Sequence, residues 1–354
     1  MGEVDIVYTV NPGIEDIAAG EVLAELGGSV EYEYMSGHVY QCVKSPRYER
    51  IYGLRSINRA FLLLYKSSIG RKIQDLVGFR EDLYTHLRES NIEEYVSPLT
   101  SFAVDTERIG EHEFTSMDIS RIVGSVIQGV VEAKTGRKPR VDLRKPSVII
   151  HVFIKDTQVV LGVSLTGPYS MHRRGYRVYD HPAALKPTLA YAMLTLSGTR
   201  DGNAILDPMC GGGTIPIEAR LFHEDVSVYC FDKNPKYIEM AKRNAMAAGV
   251  YELITFRVWD ARRLHEAGTS DIDHIISNPP YGLRFGDPHV IRSLYRDFIS
   301  SAVRVLSNSG RLTIITTEYT YVRRIAEKSG LRRIHERTVQ HGGLYPHIIV
   351  FEKQ

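Results

Sequence analysis

The sequence predicts an α/β chain in two parts: an N-terminal α+β region at residues 1–167 and, beyond a linker at 168–185, a doubly wound domain at 186–354. Two patterns carry that expectation. From Pro187 onward, short apolar runs alternate with helix-length amphipathic ones, the signature of a parallel sheet flanked by helices. Ahead of it, an amphipathic helix at 116–135 is followed by β-branched runs at 148–154 and 159–165, separated only by Lys155-Asp156-Thr157. A helix followed by a hairpin is how a split βαβ, ferredoxin-like unit closes.

In order along the chain, 4–10 is an apolar strand and Asn11-Pro12-Gly13 its turn. Ile14, Ile17, Ala18, Val22 and Leu26 recur at helical spacing, and Gly27-Gly28 stop that helix. Strands are expected at 30–35 and 38–43, a helix at 45–54 and a strand at 60–66, together a small α/β layer. Helices at 71–78 and 79–88 and short strands at 101–106 and 113–114 lead to the helix at 116–135. In the second part, helices are expected at 187–197, 214–223, 235–248, 289–306 and 320–329. The strands between and after them fall at 204–207, 226–231, 253–258, 272–276, 311–317, 331–338 and 346–352.

The 354 residues are of ordinary soluble composition, 43% hydrophobic and 24% charged. No run approaches the ~18 apolar residues of a membrane span. The start MGEVDIVYTV lacks the basic and apolar regions of a secretory signal, and Ile6 stands where a myristoylation site wants Ser or Thr. A cytoplasmic protein is expected. Three cysteines without CxxC spacing give neither a disulfide framework nor a zinc knuckle, and no HxxxH pair occurs, so no bound metal is expected. Net charge is +2, so any nucleic-acid surface must be a local patch. Eight Asn and six Gln point to a thermophilic source.

Chemistry concentrates at the ends of the second part's strands, where open α/β sheets bind ligands. Asp207-Pro208-Met209-Cys210-Gly211-Gly212-Gly213-Thr214 joins the first strand to its helix, whose N-terminus carries unsatisfied N–H groups. It has neither GxGxxG spacing nor a Lys-Ser/Thr pair, and its acid repels phosphate while welcoming an ammonium group. Asp232 follows Asp207 by 25 residues, about the spacing at which such folds set an acid on a ribose diol. Asp260 ends the third strand. Each of these acids alone is equally a helix cap. After the fourth strand comes Ser277-Asn278-Pro279-Pro280-Tyr281-Gly282. Two prolines fix φ and hold Asn278 extended, leaving its side chain and the backbone carbonyls to accept hydrogen bonds beside a flat ring. An exocyclic amine on a nucleobase needs that combination; a proline-rich turn is the plain alternative.

Two basic stretches lie outside this set. Residues 134–145 hold six Lys or Arg against one acid, and 172–177 read His-Arg-Arg-Gly-Tyr-Arg. Phosphate contact and solvated loop, or phosphate contact and interdomain strap, are the competing readings.

Together, 207–214, Asp232, Asp260 and 278–281 resemble the cofactor and amino-group motifs of class I N-methyltransferases. With the opening at 4–28, the helix–hairpin unit, the HRRGYR stretch and Leu185-Lys186-Pro187-Thr188-Leu189, nearly the whole chain is similar to THUMP-domain tRNA guanine-N2-methyltransferases of the branch acting at acceptor-stem position six. The resemblance implies a THUMP unit in the front region and a Rossmann-like methyltransferase domain behind it. It implies S-adenosylmethionine as cofactor, held by Lys186, Thr188, Asp207, Pro208, Cys210, Gly211, Gly213, Thr214, Asp232, Lys233, Asp260, Ala261 and Asn278. Asp207 would lie near the methionine end, Asp232 at the ribose and Asp260 at the adenine amine. Asn278, Pro279, Pro280 and Tyr281 would be catalytic, holding the N2 amine of a guanine taken out of its stack. The implied partner is tRNA, at its acceptor stem and 3′ end, bound by Arg137, Lys138, Arg140, Arg144, Lys145, Arg173, Arg174 and Arg177 of a monomer. Open alternatives are guanosine at position ten, adenine N6, a glutamine in protein, a pyrimidine C5 transferase using Cys210, and an RNA-binding protein without catalysis.

Overall fold

The computed structural model describes residues 3–179, 184–281 and 288–354. Its first sheet is built from β1 (Val4–Val10), α1 (Glu15–Leu26), β2 (Ser29–Tyr32), β3 (His38–Val43), β4 (Ile57–Ser68), α2 (Asp75–Glu89), α3 (Ile92–Tyr95), β5 (Ser101–Ile109), α4 (Ser116–Thr135), β6 (Arg140–Val141), β7 (Val148–Lys155) and β8 (Gln158–Ser164). Strand order is β2-β3-β1-β4-β8-β7-β5-β6. The expected small layer and the split βαβ unit are therefore one eight-stranded sheet. The strand expected at 60–66 runs longer, and as β4 it pairs with β1 on one side and β8 on the other.

Local departures from expectation have plain causes. The segment 45–54 is only a 3₁₀ turn at Tyr48–Gly53, too short between Pro46 and Gly53 to nucleate a helix. The two helices expected at 71–88 are one, because Leu76, Phe79, Leu83 and Leu87 form a single buried stripe that Gly78 does not interrupt. Glu113 and Phe114 form no strand; they precede a capping box in which Thr115 Oγ1 accepts from Asp118 N at 3.2 Å while Asp118 accepts from Thr115 N at 2.8 Å. Arg140–Val141, within the basic stretch, pairs with β5 as an edge strand.

The second sheet follows from α5 (Pro187–Ser197), β9 (Ala204–Asp207), α6 (Thr214–Phe222), β10 (Ser227–Asp232), α7 (Pro235–Ala247), β11 (Ile254–Val258), β12 (Ile272–Ser277), α8 (Pro288–Val305), β13 (Leu306–Thr316), α9 (Tyr319–Lys328), β14 (Leu331–Thr338) and β15 (His347–Lys353). Its order is β11-β10-β9-β12-β13-β15-β14, with β15 antiparallel to both neighbours. No helix among the described residues is long and apolar enough to cross a membrane.

One hydrophobic cluster crosses between the two halves, joining Ile14, Ile17, Ala18 and Val22 of α1 to Leu189, Met193, Ile205 and Ile348. Polar contacts fix the register of that seam. Gly13 has φ +98°, and a Cβ there would lie 2.3 Å from the Thr338 carbonyl oxygen, so only glycine lets the two backbones approach. Arg337 pairs bidentately with Asp16 at 2.6 and 2.9 Å. Deeper in, the fully buried Glu218 of α6 accepts from Arg55 at 3.1 Å, Arg174 at 3.3 Å and the Tyr176 hydroxyl at 2.8 Å.

Glu218→Ala strands two guanidinium groups in the seam, where breaking a buried pair costs about 3–5 kcal/mol. Urea unfolding should show a loss of that size in one transition, and a loss below ~1 kcal/mol would contradict the role given to Glu218.

Candidate active site

Strand numbering runs outward in opposite directions from β9 and β12, which makes their carboxyl ends the topological switch point of the sheet. Asp207 ends β9 and Ser277 ends β12. The Ser277 hydroxyl donates to Asp207 Oδ1 at 2.8 Å, and Met209 N donates to the same oxygen at 3.1 Å. Asp207 is 2% exposed. Burial pushes its carboxyl up to about 7; the Ser277 and Met209 bonds pull it down, and the charge of Asp232 pushes it further up.

The loop after β9 is tied to its neighbour. Cys210 N donates to the Phe231 carbonyl at 2.9 Å, and Gly211 N to Asp232 Oδ2 at 3.0 Å. The other Asp232 oxygen accepts from Asn234 N at 2.9 Å, next to the first turn of α7. Gly213, at φ +80°, opens α6; a Cβ there would stand 3.0 Å from Ala241 Cβ, so the glycine permits α6 to lie against α7. Pro208 and Thr214 of this loop are buried, as is Ala261 after Asp260, and Lys233 is exposed. The Cys210 thiol is buried against Cys230, and burial pushes it far above the usual thiol range, which leaves it no nucleophile.

Just after β11, Asp260 is engaged locally. Its carboxylate caps the 3₁₀ turn Ala261–Glu266 through Arg262 N at 3.0 Å and grips the Arg262 guanidinium at 2.5 Å. Asn278 differs from expectation: its Oδ1 is not turned outward but accepts from the Tyr281 hydroxyl at 2.8 Å. Pro279 is buried, Pro280 exposed and Tyr281 half-buried, its phenol pushed well up by burial. Gly282, the last residue of the motif, lies outside the described residues.

Two residues expected at the cofactor, Lys186 just ahead of α5 and Thr188 within it, meet the front half of the chain. Thr188 is fully buried, and its hydroxyl donates to Asn11 Oδ1 at 2.9 Å, a bond across the seam. Lys186 lines a cleft of about 820 Å³ between the first sheet and the linker, shared with Arg59, Lys155, Arg144, Lys145 and Arg173. The expected RNA-binding set therefore divides. Arg144, Lys145 and Arg173 converge there; Arg137, Lys138 and Arg140 are exposed, with Lys138 paired to Glu132 at 3.5 Å and Arg140 to Asp142 at 3.2 Å. Arg174 is withdrawn from any RNA surface by its bond to buried Glu218, as the strap reading has it. Arg177 is half-buried beside His172 and His341, whose imidazoles burial first, then Lys186 and these arginines, hold down to about 4.

Sequence reasoning passed over two positions. Ser277 is a polar residue closing an apolar strand. Asn244 occupies the buried face of α7, donating to Gly212 O at 2.9 Å and Tyr179 O at 3.0 Å, and so ties the linker to the glycine loop. A polar side chain on the apolar stripe Ile238, Ala241 and Ala245 was the available signal.

Asp207→Asn keeps an oxygen for both bonds and removes the titration. Because burial raises the folded-state value, wild-type stability is full below about pH 4, declines as pH rises and levels off above about 7. Thermal unfolding of the ligand-free proteins should show the variant gaining on wild type across that window and the gap constant above it. A gap independent of pH would contradict a buried, proton-holding Asp207.

Residues 80–164 match the THUMP domain family and 174–347 the family described as RMKL-like, methyltransferase domain. The chain is 35% identical to the tRNA (guanine(6)-N2)-methyltransferase of Archaeoglobus fulgidus, over 97% of this chain and 91% of that one. It is 33% identical to the enzyme of the same name from Thermus thermophilus, over 98% of each. The crystal structure of TrmN from Thermus thermophilus superposes with a TM-score of 0.79 at 31% identity, covering 99% of this chain and 100% of that one. With the order of the second sheet and the strand-end residues in view, this chain belongs to the family of THUMP-domain tRNA (guanine(6)-N2)-methyltransferases.

Proposed function

We propose that this chain transfers a methyl group from S-adenosylmethionine to the exocyclic N2 amine of guanosine six in the acceptor stem of tRNA. The observation that carries the reading is the junction at the switch point: Asn278-Pro279-Pro280-Tyr281 follows directly on Ser277, which is bonded to Asp207 of the glycine loop. Relatives of that name at 31–35% identity over nearly the full length support the nucleotide and the atom.

The donor set fits the cofactor. Carboxylates at three adjacent strand tips suit an ammonium group, a ribose diol and an adenine amine in turn, by Asp207, Asp232 and Asp260. The outer side of the glycine loop is open, since a Cβ at Gly211 would meet no atom within 4 Å. When bound, S-adenosylmethionine supplies an electrophilic methyl on a sulfonium centre. Opposite an ammonium group Asp207 works ionised, so ligand binding draws its proton away. Asp260 serves an amine only by sharing an oxygen with Arg262.

In the described state the Tyr281 hydroxyl donates to Asn278 Oδ1, taking the place that a donor hydrogen of the substrate amine would occupy. On base entry, Asn278 Oδ1 and the Pro279 carbonyl accept the two N2 hydrogens and the Tyr281 ring stacks on the purine. Both contacts orient the amine, and its rate follows from orientation rather than from a covalent intermediate. The cleft lined by Arg144, Lys145, Arg173 and Lys186 receives the tRNA backbone, with residues 1–167 as the platform.

Asn278→Ala should slow single-turnover transfer by about a hundredfold, as misplacement of a reacting group does, with cofactor and tRNA affinities within about twofold of wild type. Retention of more than about a tenth of the wild-type rate, a barrier change under ~1.4 kcal/mol, contradicts the assignment.

A further inference from the structure

Two arginines from different helices converge on one ring beside the candidate active site. Arg292 of α8 and Arg324 of α9 each place the guanidinium carbon 5.4 Å from the centroid of Tyr321. The Tyr321 hydroxyl donates to the Arg292 carbonyl at 3.1 Å, which fixes the ring between the helices. Beside them on α9, Arg323 stands 5.5 Å from the Tyr319 ring, itself stacked on His347 at 3.8 Å.

Folding alone does not explain the arrangement. Like charges gathered on one ring repel, and Arg324 has no ion pair among the described residues, whereas Arg292 has Glu318 at 3.5 Å and Arg323 has Glu336 at 3.4 Å. Arg324 and Arg292 are exposed. The location is specific as well. Tyr295 of α8 bonds Thr316 at 2.8 Å and Arg292 pairs with Glu318 just beyond it, at the carboxyl end of β13, which runs parallel to β12 and so ends on the same rim as the candidate site. Arg292 precedes Tyr295 by three residues of α8, about 4.5 Å of helical rise.

We infer that Arg292 and Arg324, braced by Tyr321, form an RNA-backbone clamp on the methyltransferase domain that holds phosphates of the tRNA duplex next to the extruded nucleotide. This rests on the proposed tRNA substrate and adds a second contact surface, separate from the basic cleft of the front sheet. A guanidinium held over a ring face leaves its in-plane N–H groups free to donate, and that planar fork suits a phosphate.

The test compares wild type with Arg324→Ala and Arg292→Ala/Arg324→Ala by tRNA binding across a salt series, with cofactor binding and thermal unfolding measured alongside. Removing one arginine–phosphate pairing should lower the slope of log affinity on log salt by about 0.9. The expected result is a slope reduced by about one for the single variant and about two for the double, with several-fold weaker tRNA binding and unchanged cofactor affinity and melting temperature. Arg324→Lys should restore the slope. Slopes equal to that of wild type would overturn the clamp while leaving the tRNA reading intact. Failure of the wild-type protein itself to bind tRNA would overturn both.

Discussion

The hydrogen bond from the Ser277 hydroxyl to Asp207 Oδ1 is the contact on which the candidate site depends. It joins the ends of the two strands that flank the switch point, and those ends carry the two loops whose separation decides what can react. One loop offers a helix N-terminus and a buried acid; the other offers an amide, two prolines and a phenol. With both strands parallel and their tips linked, neither loop can shift without straining the sheet. Backbone bonds from Cys210 to Phe231 and from Trp259 to Asp232 extend the same linkage to β10 and β11, so all four tips form one connected rim.

The seam between the halves extends this rigidity. Gly13 brings α1 against the end of β14, Thr188 ties the start of α5 to Asn11, and Asn244 joins the linker to the glycine loop. The front sheet is thus no tethered accessory. An RNA lying in the basic cleft would meet Lys186, which immediately precedes the helix feeding β9, so its position on the front sheet sets where the strand reaches the rim.

Most of the second sheet was legible because parallel strands buried on both faces read as short, mainly apolar runs between helices, 204–207 and 272–276 among them, with polar residues at their ends. The front sheet was legible element by element but not as a whole, because strand pairing across β4 depends on edges that no periodicity marks. The bond from Thr188 to Asn11 was out of reach for a similar reason: a place in Lys-Pro-Thr-Leu says that the residue opens a helix, not which half that helix faces. Arg174 and Arg173 are neighbours in sequence, yet one is buried on Glu218 and the other lines the cleft, a division made only by the path of the linker. Tyr281 closing on Asn278 was likewise out of reach, since it depends on side-chain torsions after two prolines.

A rim built this way should deliver a methyl to one amine of one nucleotide. Unmodified tRNA incubated with the protein and S-adenosylmethionine can be cut into defined fragments and analysed by mass spectrometry. A single methyl is expected, recovered as N2-methylguanosine and confined to the fragment holding position six. A methyl on adenine, on the guanosine at position ten, or on no nucleoside at all would be incompatible with the proposed chemistry of the rim.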